Sequence, residues 1–254
     1  MLAATLQSWA PTILAVAVLS VLAGVGLAAL RVPGPRQVVT AILRAAVQLM
    51  LLSAILGGVI TDLRLVAIAL VVMLGAAAYT AARRAHAPGR MIPVLAVAVA
   101  AGPAAVMTVV FSTGAIEFSA RYLLAIGGIV IGNAMTTAAL TSRLLDASII
   151  DHWDEVEAWL SLGATPRQAV APLARSSVHT ALIPTIDQTR TTGIVVLPGA
   201  FVGAVFAGAS PLEAGRFQLV VLACILTSGV ITASTIAFRT SVAFSRPTDH
   251  RAIG

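Results

Sequence analysis

Seven mostly apolar stretches follow one another along this 254-residue chain: Pro11 to Leu30, Val38 to Ile60, Leu63 to Ala82, Met91 to Phe111, Tyr122 to Thr141, Thr191 to Gly208 and Phe217 to Phe238. Each reaches or approaches the length of about 20 residues that a helix needs to cross the hydrocarbon of a bilayer. Composition agrees, because 59% hydrophobic and 10% charged residues leave too few charges to coat a soluble surface. In lipid the backbone polar groups must be bonded within the protein, and an apolar run of about 20 residues does that as a helix, so the expected fold is all-α: a polytopic integral membrane protein of about seven transmembrane helices, one domain over residues 1–254. Turn formers punctuate the runs at Pro33, Gly34 and Pro35, at Pro88 and Gly89, at Ser112 to Gly114, and at Ser210 and Pro211. The gap at Thr61 and Asp62 is so short that the second and third spans are expected to form a hairpin. The sixth span holds Gly193, Pro198, Gly199 and Gly203, all helix breakers in water.

The arginines orient these spans, because cytoplasmic connections collect basic residues. All 16 basic residues are Arg. The odd-numbered connections and the C-terminus hold Arg31, Arg36, Arg83, Arg84, Arg90, Arg143, Arg167, Arg175, Arg190, Arg239, Arg246 and Arg251. The N-terminus and the even-numbered connections hold Arg64, Arg121 and Arg216, and Arg44 lies inside the second span. Twelve against three predicts the N-terminus outside and the C-terminus inside. Orientation also accounts for the net charge of +6, so no nucleic acid is expected as a partner, and the membrane lipid is.

Without Lys there is no GxxxxGK[ST] phosphate loop, and the chain does not bind ATP that way itself. No GxSxG elbow, HExxH pair or dinucleotide fingerprint occurs, so no catalytic residue is assigned and no enzyme is expected. A sole cysteine, Cys224, excludes an intrachain disulfide and a multi-cysteine metal site. His86, His152, His179 and His250 are far apart in sequence and read as solvated or structural, and no metal-ligand set is identified. Met1 to Ala10 has no basic residue ahead of its apolar run and is not expected to be a cleavable signal.

Between Ser142 and Arg190 lies the one long connection, a cytoplasmic insertion holding Asp146, Asp151, Asp154, Glu155, Glu157 and Asp187. Ser148 with Asp151 reads as a capping-box start, after which Ile149, Trp153, Val156 and Leu160 recur at helical spacing with Asp151, Asp154 and Glu155 opposite them. Gly163 predicts a C-terminal cap, and Thr165, Pro166 and Gln168 predict that a second helix starts at once. Such a helical hairpin either lies on lipid or docks into a groove of another protein. Its acidic edge favours docking, since anionic headgroups attract basic helices.

Small residues four apart allow close helix approach in lipid, and Gly128 with Gly132 and Gly199 with Gly203 supply two such pairs in the fifth and sixth spans. Asn133 follows Gly132, and Pro198 removes a helix hydrogen bond beside Gly199, a break that suits the passage of a polar substrate. Arg44 and Gln48 share one face of the second span, where Arg44 either serves a pathway or snorkels to the interface. Asp187, Gln188 and Arg190 cluster at the entrance to the sixth span. Asp187 and Arg190 form a local i, i+3 pair, or Asp187 is an oxygen ligand for a cation with Asn133 and the Met135 thioether as neighbours.

The string from Glu157 and Ala158 through Trp159 and Leu160 to Gly163 resembles the EAA loop of ABC-transporter permeases, with Trp159 in place of the second Ala and the downstream apolar-Pro ending out of register. Five blocks in order resemble one family, the bacterial iron-export ABC permeases of the Fet type and their plant aluminium-tolerance relatives. They are Arg44 to Leu49, Ile131 to Met135, Leu160 to Ala169, Leu182 to Asp187, and Leu197 to Gly203 continuing through Phe206, Gly208 and Pro211 to Gln218. Arg190 departs from the Lys of that family but keeps the charge. The resemblance implies a single permease domain that exports iron or another metal, works as a homodimer and pairs with a separate cytoplasmic ATPase that binds the ATP and Mg. It makes Trp153, Glu157, Ala158, Leu160, Gly163, Ala164, Thr165 and Pro166 the coupling element. A stand-alone secondary transporter is the alternative, and it would call for inverted repeats and mid-membrane carboxylates, neither of which the sequence has. A reporter fused after Ile253 should be active only on the cytoplasmic side; activity outside would overturn the orientation.

Overall fold

A helix bonds its own N–H and C=O groups, and in the computed structural model most of the apolar stretches are helices from end to end. The structure describes residues 2–32, 34–59 and 62–242. Within them lie α1 (Leu2–Ala29), α2 (Pro35–Val59), α3 (Leu63–Arg84), α4 (Ile92–Ser112), α5 (Ala120–Asp151), α6 (Trp153–Ser161), α7 (Pro166–Thr191), α8 (Gly199–Phe206) and α9 (Pro211–Val242). Six of these, α1 to α5 and α9, are long and apolar enough to cross a membrane, as befits a multi-pass membrane protein. The turn at Pro33, the gap residue Thr61 and the C-terminal Arg246 and Arg251 lie outside the described residues.

Helix starts are set by side chains that accept from the first free N–H groups. Asp62 accepts from the Arg64 N–H at 2.8 Å, and Ser119 accepts from Tyr122 at 3.3 Å. At α9, Ser210 and Glu213 cap each other: the Glu213 N–H donates to Ser210 Oγ at 3.3 Å, and the Ser210 N–H donates to Glu213 Oε2 at 3.2 Å. This box, followed by Pro211, starts α9 six residues before the expected Phe217.

Two compact units divide the chain, one of α1 and α2 and one of α3 to α9. In the second unit, α9 packs along α4, α5 and α7. Gly102, at the centre of α4, has no room for a Cβ, which would fall 2.6 Å from the Ser228 carbonyl oxygen and 2.7 Å from Thr232 Oγ1. One turn away, the Thr232 hydroxyl donates to the Ala98 carbonyl at 3.1 Å, so α4 and α9 run antiparallel and touch at mid-length. Gly127 and Gly128 give α5 a similar approach to Leu70 and Met73 of α3. Apolar cores close both ends: Val106, Val110, Ile126, Val130 and Val221 at one, and Leu145, Ile149, Val156, Val170 and Ala174 at the other.

Two expectations are corrected. Ser148 starts no helix: α5 runs unbroken for 32 residues to Asp151, because nothing between Thr141 and Asp151 breaks a helix and Leu145 and Ile149 bury against α7. Thr191 to Gly208 is no spanning helix either. Thr192 is extended and Gly193 takes φ +86, and the chain folds back so that the Gly193 N–H donates to the Val196 carbonyl at 2.9 Å. Past Thr191, the last residue of α7, only the eight residues of α8 are helical there.

Gly102→Leu should lower stability by about 1–3 kcal/mol through overpacking against α9. Gly132→Ala, with nothing within 4 Å of the new Cβ, should be neutral or stabilising. Thermal midpoints in one detergent compare the two, and equal midpoints would remove Gly102 from the α4–α9 contact.

Candidate functional site

The chain turns two corners between α5 and α7. His152, with φ −114 and ψ 30, ends α5 and begins α6. At the far end of α6 the Ala164 N–H donates to the Trp159 carbonyl and the Gly163 N–H to the Leu160 carbonyl, both at 3.0 Å, and Gly163 sits at φ +87. This is a Schellman cap, and its left-handed residue favours Gly. Thr165 then caps α7: the Gln168 N–H donates to its hydroxyl at 3.4 Å, the Thr165 N–H donates to Gln168 Oε1 at 2.8 Å, and Pro166 occupies the first turn. Stop and start signals, Gly163 and Thr165, lie two residues apart and fix the elbow.

The apolar face of α6 is not free to dock elsewhere. Val156 is buried, and Trp153 and Leu160 are half-buried, against Leu145 and Ile149 of α5 and Ala169, Val170 and Ala174 of α7. What α6 offers outward is its edge: Asp154, Glu155, Glu157 and Ala158, with Trp159 49% and Leu162 82% exposed. Trp159 and Leu162 were not among the expected coupling residues, although a Trp standing where the EAA pattern has Ala is a signal for them. Ala164 is half-buried, and Gly163, Thr165 and Pro166 are exposed at the corner.

Helix α7 runs back along α5 and α9. Near its start the Arg167 guanidinium lies 4.4 Å from the centroid of the Phe238 ring, close to the end of α9. Further along, a Cβ on Gly229 would lie 3.3 Å from Leu182 Cδ2 and 3.8 Å from Thr137 Oγ1. So α7 is antiparallel to both neighbours, and the expected long connection 142–190 is instead the end of α5, the elbow and α7. Asp187, Gln188 and Arg190 fall in the last turns of α7, at the end opposite the elbow, and not at the entrance to a following span.

Asp187 and Arg190 form the local pair, 3.6 Å between Oδ1 and Nη1 with both side chains exposed. The Asp187 and Gln188 carbonyls accept from the Thr191 and Thr192 hydroxyls. Thr137 lies level with Leu182, which puts Asn133, one turn earlier in α5, level with Ile186 and close in depth to Asp187. The Asn133 amide donates to the Ile129 carbonyl of its own helix at 2.9 Å, and Met135 is half-buried. Arg44 and Gln48 lie exposed, one turn apart, on α2 in the other unit. Pro198 stands just before α8 as its N-cap, so it removes no helix hydrogen bond. Of the glycine pairs, Gly128 meets Met73, whereas Gly132, Gly199 and Gly203 have nothing within 4 Å of a Cβ. Among the described residues no three His, Cys, Asp or Glu side chains are grouped closely enough to hold a metal ion.

The sequence model of an uncharacterised protein family, UPF0014, matches residues 10–244. The UPF0014 membrane protein STAR2 of Oryza sativa subsp. japonica is 36% identical over 198 residues, 77% of this chain and 69% of the rice protein. The "Probable iron export permease protein FetB" of Escherichia coli (strain K12) is 32% identical over 191 residues, 74% of each chain. Protein ALUMINUM SENSITIVE 3 of Arabidopsis thaliana is 34% identical over 166 residues, 65% of this chain and 61% of that protein. No solved structure matches the chain.

Thr165→Ala removes the hydroxyl that caps α7 and should cost about 1 kcal/mol locally. Amide exchange at Gln168 should then quicken about fivefold, 1 kcal/mol being roughly that factor; an unchanged rate would mean that the corner is held without this cap.

Proposed function

Because the chain belongs to the UPF0014 family of membrane proteins, we propose that it is the permease subunit of an ABC transporter that exports iron or another metal ion, driven by a separate cytoplasmic ATPase. The name of the Escherichia coli relative supplies the substrate class and the direction. The observation that carries the coupling is the elbow, a short helix gripped on its apolar side by α5 and α7 and bearing an acidic edge with exposed Trp159 and Leu162.

An aromatic anchor ringed by charge is the composition of an interface hot spot. The ATPase would seat Trp159 and Leu162 in a groove, with its basic groups facing Asp154, Glu155 and Glu157. Movement of that groove would pass through Val156 and Leu160 into α5 and α7 together, since the contact between them is close-packed and little compressible. ATP and Mg belong to the ATPase, consistent with a chain that has no Lys for a phosphate loop. Two permease copies would work with two ATPase copies. The arginine-rich end of the second unit, with Arg83, Arg84, Arg143, Arg167 and Arg239, would face the cytoplasm together with the elbow.

Trp159→Ala and Leu162→Asp should each reduce co-purification with the ATPase at least about tenfold, as expected for a buried aromatic or aliphatic anchor. Both side chains are exposed, so the thermal midpoint of the permease alone should not move. In vesicles holding the pair, metal efflux should require ATP and should fall in both variants. Undiminished ATPase binding would take the elbow out of the coupling, and efflux by the permease without its ATPase would refute the reading as a whole.

A further inference from the structure

We propose that α7 is itself a membrane crossing and that its outward face lines a water-filled passage for a hydrophilic or cationic solute. Depth comes first. Gly102 is the central residue of α4, a helix whose 21 residues match one bilayer crossing, and it touches Ser228 of α9. The next residue, Gly229, meets Leu182 of α7, so Leu182 lies near the middle of the hydrocarbon.

Burial then shows which way α7 faces. Ala169, Val170, Ala174, Ser177, Ala181 and Leu182 are buried against the neighbouring helices. Exposed on the opposite side, at a spacing of three and four, are Arg175, Ser176, His179, Thr180, Ile183, Pro184, Asp187 and Gln188, six of the eight polar. His179 and Thr180 are within one turn of Leu182. Pro184 adds a backbone demand there, because it has no N–H to give to the carbonyl of Thr180. His179 and Thr180 near mid-depth, with the Thr180 carbonyl deprived of its usual donor four residues on, and Arg175 and Asp187 towards either end, are costly to leave against lipid tails, and such groups face water or protein. The mixture of charges with His and two hydroxyls fits a wet wall better than a dry contact, where each group would need a fixed partner.

The inference adds to the proposed function the wall along which the cargo travels, and it rests on that reading only for what passes. Its test needs neither ATPase nor metal. In a Cys224→Ala background in nanodiscs, Ser176→Cys, Thr180→Cys and Gln188→Cys should react with a charged, lipid-insoluble thiol reagent about tenfold or more faster than Ala181→Cys on the buried face and Val71→Cys on α3, since a thiol deprived of water is slow to form its thiolate. Val71 is 67% exposed, so it marks a surface open to lipid. Thr180→Cys reacting no faster than Val71→Cys would overturn the passage. So would disulfide cross-linking of Thr180→Cys between two copies without reagent labelling, the result of a dry interface. Hydroxyl-radical footprinting of the unsubstituted chain gives a second reading, in which His179 should be oxidised in the nanodisc and protection of His179 would refute the passage. Labelling of the stripe in a permease that fails to bind an ATPase would sink the proposed function and leave this inference standing.

Discussion

Contact between α4 and α9 at Gly102 sets the position of everything else in the larger unit. Two helices in lipid gain no hydrophobic energy by meeting, so they associate where small residues bring backbones together and polar groups bond across. Gly102 meets the first condition, since any Cβ there would strike the Ser228 carbonyl, and Thr232 donating to the Ala98 carbonyl meets the second. Once α9 is held against α4, Gly229 faces Leu182 and Thr137, and the depth of α7 follows.

That depth ties the two ends of the subunit together. The elbow is a rigid corner because its stop and start signals lie so close that no residue between Gly163 and Thr165 is free to move independently. Its apolar contacts are spent within the chain, on α5 and α7. A partner docking there would meet a firm edge and not an amphipathic hairpin in search of a groove. Force on that edge would enter α7 directly, and α7 carries Asp187 and Gln188 at its other end. A single helix thus links the proposed docking surface to the residues proposed to meet the solute.

Between Thr191 and the start of α9 the chain is mostly apolar and has no buried residue, with Ile194 at 88% and Phe206 at 86% exposed. Gly193 allows the fold-back that separates α7 from α8, and α8 is too short to cross a bilayer. The glycines of this segment have open space around them, so in a single chain they do not act as packing contacts.

Much was legible from the residues in order. Apolar runs of spanning length marked six helices, and Thr165, Pro166 and Gln168 marked the start of α7, because capping is local chemistry that needs no tertiary partner. Ser210 and Glu213 carry the same kind of signal for α9, but the reading that takes Ser210 and Pro211 as a turn and starts the span at Phe217 misses it. The course of α7 was not legible. Arg167, Arg175, Asp187 and Arg190 lower its average hydropathy to that of a soluble helix, and an average over all faces hides an apolar face that packs on α5 and α9. Only packing tells which side of a helix is covered, and only the register at Gly229 and Leu182 assigns the polar side its depth. A sequence specifies the groups that cannot face lipid; tertiary contacts decide where in the bilayer they stand.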